Sequence, residues 1–297
     1  MTTAEMQPIT DWHRPLRDAD FYTARSVDEA LRLASEHAGG RFIAGGTTLV
    51  RMERWGGNVP PVLVYIGRIA ELKEVREQDG RILLGSLATH NRLRTAVGLG
   101  ERAAALLDAA QEIAGPAVRN LATIGGNVYV NLDLVPPLLA LEARVHVRGQ
   151  GGEAMIPLAA FYDAQGQPKI QPTDLIVGID VATDLPRSAY QKVARRRAVS
   201  RAIAGAGVAL DLDGDTIREI RIGIGGAGLR SRRLTAAEDL LRGQALTDDL
   251  VARAGEAAYE SAADAVEDYE ASPWYTREIA RVTTERAINA AAGRPVL

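Results

Sequence analysis

Apolar positions along the chain recur with two periods, one helical and one alternating. Val27, Ala30, Leu31 and Ala34 follow at helical spacing behind Ser26 and Glu29, a capping box, and Gly39-Gly40 stops the helix. Residues 41–44 form a short apolar run that reads as a buried strand. The run ends in Gly45-Gly46-Thr47-Thr48, which cannot continue a strand comfortably, and residues 49–54 return to a helical pattern. Residues 62–66 and 81–84 predict further strands. Thr89 can cap a helix, residues 101–113 form a long Ala/Leu-rich one, and Gly115-Pro116 breaks it. Thr123-Ile124-Gly125-Gly126-Asn127 reads as a second glycine turn, and Pro136-Pro137 opens an apolar helix. Residues 143–148 alternate as a strand does, and residues 174–181 form a strongly apolar one.

Past residue 186 the texture changes. Residues 190–195 and 203–211 read as strands, Asp213-Gly214-Asp215 as a hairpin turn, and residues 217–224 alternate back. Beyond Leu229 the pattern is helical, over roughly 235–242, 247–268 and 274–292. Strands followed by helices predict a separate α+β domain with a boundary near residue 186. The length of 297 residues agrees, since domains average about 150 residues.

Composition narrows the chemistry. Lys plus Arg is 35 and Asp plus Glu is 38, a net charge of −3. That balance argues against a nucleic-acid binder, which would carry a basic stripe. Hydrophobic residues make up 46% and charged residues 25%, enough apolar material for a packed core. No stretch approaches the roughly 18 apolar residues that span a bilayer. Residues 1–8 lack a basic segment followed by an apolar one, so a cytoplasmic location is expected. Cysteine is absent, which excludes disulfides, thiolate-held iron–sulfur clusters and cysteine nucleophiles. His13, His37, His90 and His146 lie far apart and show no metal-ligand spacing, and no Ser/His/Asp constellation stands out. Neither catalytic nor metal-ligating residues are therefore expected. Lysine occurs only at Lys73, Lys169 and Lys192 in an arginine-rich chain.

The glycine segments carry the remaining signal. Ala44-Gly45-Gly46-Thr47-Thr48-Leu49 and Thr123-Ile124-Gly125-Gly126-Asn127 each set paired glycines between apolar residues and a hydroxyl or amide. Without Cβ atoms, consecutive N–H groups can converge on a phosphate, and a helix starting just after adds partial positive charge. Two such turns can clamp a diphosphate from both sides, although tight turns alone also account for the glycines. Neither segment fits the G-x-G-x-x-G fingerprint or the P-loop, which disfavours a standard dinucleotide fold and a kinase-type site.

In order along the chain, Arg41-Phe42-Ile43-Ala44-Gly45-Gly46-Thr47-Thr48-Leu49, Gly85-Ser86-Leu87-Ala88-Thr89, Arg119-Asn120-Leu121-Ala122 with the second glycine segment, and Pro137-Leu138-Leu139-Ala140-Leu141 resemble the FAD-binding medium subunit of molybdenum hydroxylases. That group includes carbon monoxide, xanthine and aldehyde dehydrogenases. Tyr190-Gln191-Lys192-Val193-Ala194-Arg195-Arg196, Arg221-Ile222-Gly223-Ile224-Gly225-Gly226 and Glu238-Asp239-Leu240-Leu241-Arg242-Gly243 are similar to that family's C-terminal flavoprotein domain. The likeness runs from about residue 14 to 293.

The resemblance implies an α+β fold. A p-cresol methylhydroxylase-type FAD-binding domain of two α+β subdomains would occupy residues 14–186. A C-terminal α+β domain with a three-stranded antiparallel sheet and a helical bundle would occupy 187–297. It further implies that Phe42, Ile43, Ala44, Gly45, Gly46, Thr47, Thr48 and Leu49 form a first diphosphate loop and Thr123, Ile124, Gly125, Gly126 and Asn127 a second. Ile113 matches a flavin-adjacent apolar position, Ile176 lies in a strand near the adenine or ring, Asp133 is the acidic residue after the second loop, and Lys192 is a basic position facing the flavin. The implied function is that of a FAD-carrying electron-transfer subunit. A large molybdenum-binding partner and a small partner with [2Fe–2S] clusters would complete a dimer of heterotrimers. A stand-alone flavin oxidoreductase and a scaffold subunit that has lost FAD are the alternatives. Two departures stand out. Residues 128–132 are about three residues shorter than the family's usual stretch and lack its Ser-Pro turn, and Thr48 stands where Asn, Asp or Ser is commoner. Tyr129, in that shortened stretch, can then lie near the flavin or be a packed strand residue.

Overall fold

Ser26 caps as its spacing requires. Its Oγ accepts the Glu29 N–H at 3.2 Å, the Glu29 carboxylate takes the Arg25 N–H at 2.7 Å, and helix α1 (Val27–Glu36) follows strand β1 (Asp20–Thr23). The computed structural model describes residues 19–54, 59–96, 98–196, 199–268 and 270–296. Residues 1–8 and the expected domain start at residue 14 lie outside these. Helix α1 supplies the crossover that a parallel sheet needs. Strands β1, β2 (Gly40–Ile43) and β3 (Val62–Tyr65) pair in parallel in the order β1-β3-β2, with α2 (Leu49–Arg54) between β2 and β3. Val27, Ala30, Leu33 and Ala34 of α1 pack on Val64 and Ile66.

A second sheet follows, built from β4 (Val75–Gln78), β5 (Arg81–Gly85), β6 (Arg144–Gly149), β7 (Gly152–Pro157) and β8 (Leu175–Ala182). It is antiparallel in the order β4-β5-β8-β6-β7. Between β5 and β6 run the helices α3 (His90–Leu93), α4 (Ala104–Glu112), α5 (Pro116–Arg119), α6 (Ile124–Tyr129) and α7 (Val135–Ala140). Leu106, Ile124, Leu138, Val145 and Ile179 share one core. The segment expected to be a second glycine turn is instead α6, with Thr123 as its cap. Tyr129 ends this helix and is not a strand residue.

The C-terminal sheet corrects the expectation of three strands. It has four, β9 (Arg187–Ala194), β10 (Ala202–Asp213), β11 (Thr216–Gly226) and β12 (Leu229–Arg233), in the antiparallel order β12-β11-β10-β9. Strand β12 reads Leu-Arg-Ser-Arg-Arg and shows no apolar alternation. Its guanidinium groups decide its place. Arg230 and Arg232 reach Asp264, and Arg233 Nε meets Glu238 at 2.6 Å. Helices α8 (Thr235–Leu241), α9 (Asp248–Ser261) and α10 (Pro273–Ala291) cover one face of the sheet, packing Ala254, Ala287 and Ile288 on Ala206, Val208 and Ile222. Helix α9 ends at Ser261, short of the expected residue 268.

Side chains alternate across a strand, so Gly207 and Gly223 face away from those helices. A Cβ on either would fall 2.5 Å from Pro137 Cα or 2.2 Å from Pro136 O. Their absence seats α7 directly on the sheet. Every residue of α7 is buried, and its other side joins the core that holds Val145 and Ile179 of the second sheet.

Asp180 ties the second sheet together across its strands. It accepts from Arg81 of β5 and from Arg144 (3.0 Å) and His146 (2.5 Å) of β6. Burial alone would raise its pKa, but the hydrogen bonds from His146, Arg144 and Arg81 outweigh burial and hold it at about 2. A carboxylate depressed from 3.8 contributes stability above its unfolded pKa, and loses it as pH falls through the folded one. Asp180→Asn should therefore lower stability by about 2 kcal/mol at neutral pH. The gap to the parent should close as pH falls from about 4 to about 2. Urea denaturation at a series of pH values measures both.

Candidate cofactor site

The first glycine segment leaves its sheet with its donors uncommitted. The Ile43 carbonyl still accepts the Ile66 N–H at 3.0 Å, and the next chain–chain bond is Val50 N–H to Gly46 O at 3.0 Å. Between them, the N–H groups of Gly45, Gly46, Thr47, Thr48 and Leu49 find no acceptor among the described residues. All five residues are half-buried. Gly46 turns the chain at φ +66°, and α2 starts at Leu49, so five successive donors sit at or before a helix start. This is an arrangement that attracts an anion. Ala44, Phe42 and Ile43 are half-buried and carry the segment out of β2.

The second segment spends its donors internally. Ile124 N–H goes to Ala88 O (2.9 Å), Gly125 N–H to Ser86 O (2.9 Å), Gly126 N–H to Thr123 Oγ1 (3.2 Å) and Asn127 N–H to Thr123 O (2.9 Å). The expectation that both segments turn bare amides outward is thus corrected, because the first-turn N–H groups of α6, which have no partner within the helix, are taken by Ala88, Ser86 and the Thr123 cap. The two glycines of α6 differ in role. Gly125 is buried, and a Cβ there would sit 2.7 Å from Ser86 Cβ. Gly126 is exposed, and Tyr129, 41% exposed, follows one turn later on the same face. That face is backbone flanked by an aromatic ring.

The two segments touch. A Cβ on Gly45 would lie 1.9 Å from Leu121 O and 3.2 Å from Ala122 N, immediately before Thr123. Beneath α6 lie two polar residues that sequence reasoning did not single out. The Ser86 hydroxyl and both ring nitrogens of His90 are buried without a partner among the described residues. Burial drives the His90 pKa down to about 4, outweighing the opposing pull of the Thr123 main chain, and the nearby Arg119 charge adds to the lowering, so its ring is neutral at pH 7. A usable signal was Thr89, which caps α3 and bridges to Thr123.

Asp133 and Lys192 meet. Lys192 Nζ lies 3.3 Å from Asp133 Oδ2, with side chains 5% and 8% exposed. Asn127 brackets this acidic turn, its Oδ1 accepting the Leu134 N–H at 3.1 Å and its carbonyl the Leu132 N–H at 3.1 Å. Ile113 caps the end of α4, half-buried, and its carbonyl accepts from Arg119 at 3.1 Å. Ile176 lies in β8 opposite Val147, inside the core. Among the described residues no group of His, Asp and Glu is placed to hold a metal ion.

Two family models match the chain. The FAD binding domain in molybdopterin dehydrogenase matches residues 16–183, and the CO dehydrogenase flavoprotein C-terminal domain matches residues 188–291. The chain belongs to the FAD-binding medium subunits of the molybdenum hydroxylases. Among similar members is the 6-hydroxypseudooxynicotine dehydrogenase complex subunit alpha of Paenarthrobacter nicotinovorans, 34% identical over 93% of this chain and 95% of that one. The carbon monoxide dehydrogenase medium chain of Hydrogenophaga pseudoflava is 28% identical over 93% and 97%. A solved structure of carbon monoxide dehydrogenase from Hydrogenophaga pseudoflava, lacking the Mo-pyranopterin moiety, superposes with a TM-score of 0.87 over 93% of this chain and 98% of that one, at 29% identity. As a member of this family the chain is the FAD subunit of an oxidoreductase complex.

The residues fit the cofactor that the family name implies. A diphosphate needs donors, and the first segment holds five unpaired ones. A flat ring or sugar needs close backbone approach, and Gly126 leaves one face of α6 bare. Two substitutions separate packing from binding. Gly45→Ala must push the Leu121 peptide aside, costing about 1–3 kcal/mol and most of the bound flavin. Gly126→Ala should fold about as stably as the parent, because alanine favours a helix by about 0.5–1 kcal/mol while its Cβ meets Thr123 Oγ1 at 3.2 Å, yet bind FAD more weakly. Thermal unfolding and flavin-to-protein ratios of the purified variants report the two effects.

Proposed function

We propose that this chain is the electron-transfer subunit of a heterotrimeric molybdenum hydroxylase. A large partner would oxidise the organic substrate at molybdenum. A small partner would carry [2Fe–2S] clusters, and FAD bound here would pass the electrons to an external acceptor. Two heterotrimers would pair into one particle. Residues 14–186 would form the FAD-binding domain and residues 187–297 the C-terminal flavoprotein domain.

The observation that carries the reading is the row of five unpaired N–H donors from Gly45 to Leu49, set against the Leu121–Ala122 peptide that leads into α6. The first segment would hold the diphosphate by main-chain donors, with Thr47 and Thr48 alongside. Gly126 would let the cofactor lie against α6, and Tyr129 would flank it. FAD, when bound, supplies storage for an electron pair and exchange of single electrons. The chain's own part is to bind and orient. Relatives include a nicotinate dehydrogenase FAD-subunit of Eubacterium barkeri and a xanthine dehydrogenase FAD-binding subunit of Escherichia coli. They span different substrates, in keeping with substrate choice residing in another subunit.

The purified chain is expected to be yellow, with about one FAD per chain and a flavin spectrum that bleaches with dithionite. Candidate organic substrates should not bleach it. The same substrates should bleach it once the chain is co-purified with its large and small partners. A colourless folded protein that takes up no added FAD would favour the scaffold alternative, and substrate-driven bleaching of the isolated chain would favour a stand-alone oxidoreductase.

A further inference from the structure

We propose that Lys192 is a positioning residue that acts on the cofactor site through Asp133 and does not itself touch the flavin; this rests on the FAD reading above. An ammonium group has three N–H donors, and in this fold each has an acceptor of the chain's own. They are Asp133 Oδ2 at 3.3 Å, Glu112 O at 3.0 Å and Ser200 O at 3.4 Å. With its side chain 5% exposed, Lys192 has no donor left to offer outward.

Its partner is tied in turn to both domains. Asp133 Oδ2 also accepts the Ala202 N–H at 3.3 Å, so one carboxylate oxygen binds β9 through Lys192 and β10 through Ala202. On the other side, Asn127 of α6 holds the main chain of Leu132 and Leu134 on either flank of Asp133. A displacement of Asp133 is therefore passed through two hydrogen bonds to the helix that carries Gly126. Lys192 latches the C-terminal sheet onto the acidic turn, and the latch fixes the height of α6 against the first glycine segment.

Charge balance sets the expected pattern of variants. Removing one member of a buried pair strands the other charge, whereas removing both leaves none. Lys192→Met and Asp133→Asn alone should each weaken FAD binding by about tenfold or more, an effect of more than one decade in Kd. The double substitution should recover most of that loss, so the two effects are strongly non-additive. The flavin midpoint potential of the double variant should match the parent. A lysine in contact with the ring predicts the opposite, because a cation there stabilises the reduced, anionic form. Every variant without Lys192 would then show a lower potential whatever stands at position 133.

The experiment is run on the full-length chain. FAD titration and potentiometry are paired with hydrogen–deuterium exchange of the cofactor-free protein. Both single variants should speed exchange in the same two segments, residues 132–135 and 200–203, and the double variant should slow it again. If Lys192→Met does not fold, the double variant, which strands neither member of the pair, still gives the potential and the exchange pattern. Additive losses in Kd, a lowered potential in the double variant, or exchange at 132–135 that responds to only one of the two single substitutions would overturn the latch. Failure of the parent to bind FAD would overturn the functional reading instead, and the exchange pattern would still decide the latch.

Discussion

Helix α7 has no solvent face, and the placement of everything around the cofactor site follows from that. It sits directly on the C-terminal sheet and shares its core with the antiparallel sheet of the FAD-binding half, with all six residues buried. A helix in that position can leave no backbone donor unpaired, since an orphaned buried N–H costs as much as a lost hydrogen bond. Two of its first-turn residues are Pro136 and Pro137, which have no N–H to satisfy. The flanking donors are taken by Asn127 Oδ1 and Leu132 O, and the last turn closes on Pro137 O and Leu138 O. Burial of Val135, Leu138 and Leu139 contributes about 1.5–3 kcal/mol each, and the glycines of β10 and β11 let that contact form.

The segment that feeds α7 is also the one that meets Lys192 and Asn127. Docking of the C-terminal sheet and placement of α6 are consequently one packing event. This explains why two glycine pairs that look alike in sequence play different parts. The pair at Gly125-Gly126 is built into a helix pinned by Ser86, Ala88 and Thr123, and its donors are consumed. The pair at Gly45-Gly46 is held by close approach to Leu121, which leaves its amides free. One segment supplies a bare surface and the other supplies hydrogen bonds.

Arginine does much of the joining between layers. Arg221 of β11 makes a two-pronged contact with Asp184 at 2.9 and 2.6 Å, and comes within 3.5 Å of Glu142. Arg233 of β12 sits within 3.7 Å of the same Glu142 while binding Glu238. The planar guanidinium suits such paired geometry better than an ammonium does. Arg221 and Arg233 thus draw Glu142, Asp184 and Glu238 into pairs that join neighbouring layers.

Local rules determined the parts of this protein that depend on near neighbours. The capped helix α1, the apolar strands β3 and β8, the proline-led α7 and the hairpin at Gly214 follow from spacing and turn chemistry within a few residues. The ordered motifs along nearly the whole chain also carried the family. Strand β12 did not follow, because its arginines become strand residues only when Asp264, Glu238 and the edge of β11 are in place. The helical fate of Thr123 to Tyr129 did not follow either. A Thr-capped glycine pair is compatible with turn and helix alike, and Ser86 and Ala88, distant along the chain, supply the acceptors that decide it. Lys192 and Asp133 were both visible as candidate residues, 59 positions apart, but their pairing was not. Which donors remain free for a ligand depends on the acceptors that the folded chain brings near, and proximity across sheets is a property of the tertiary structure alone.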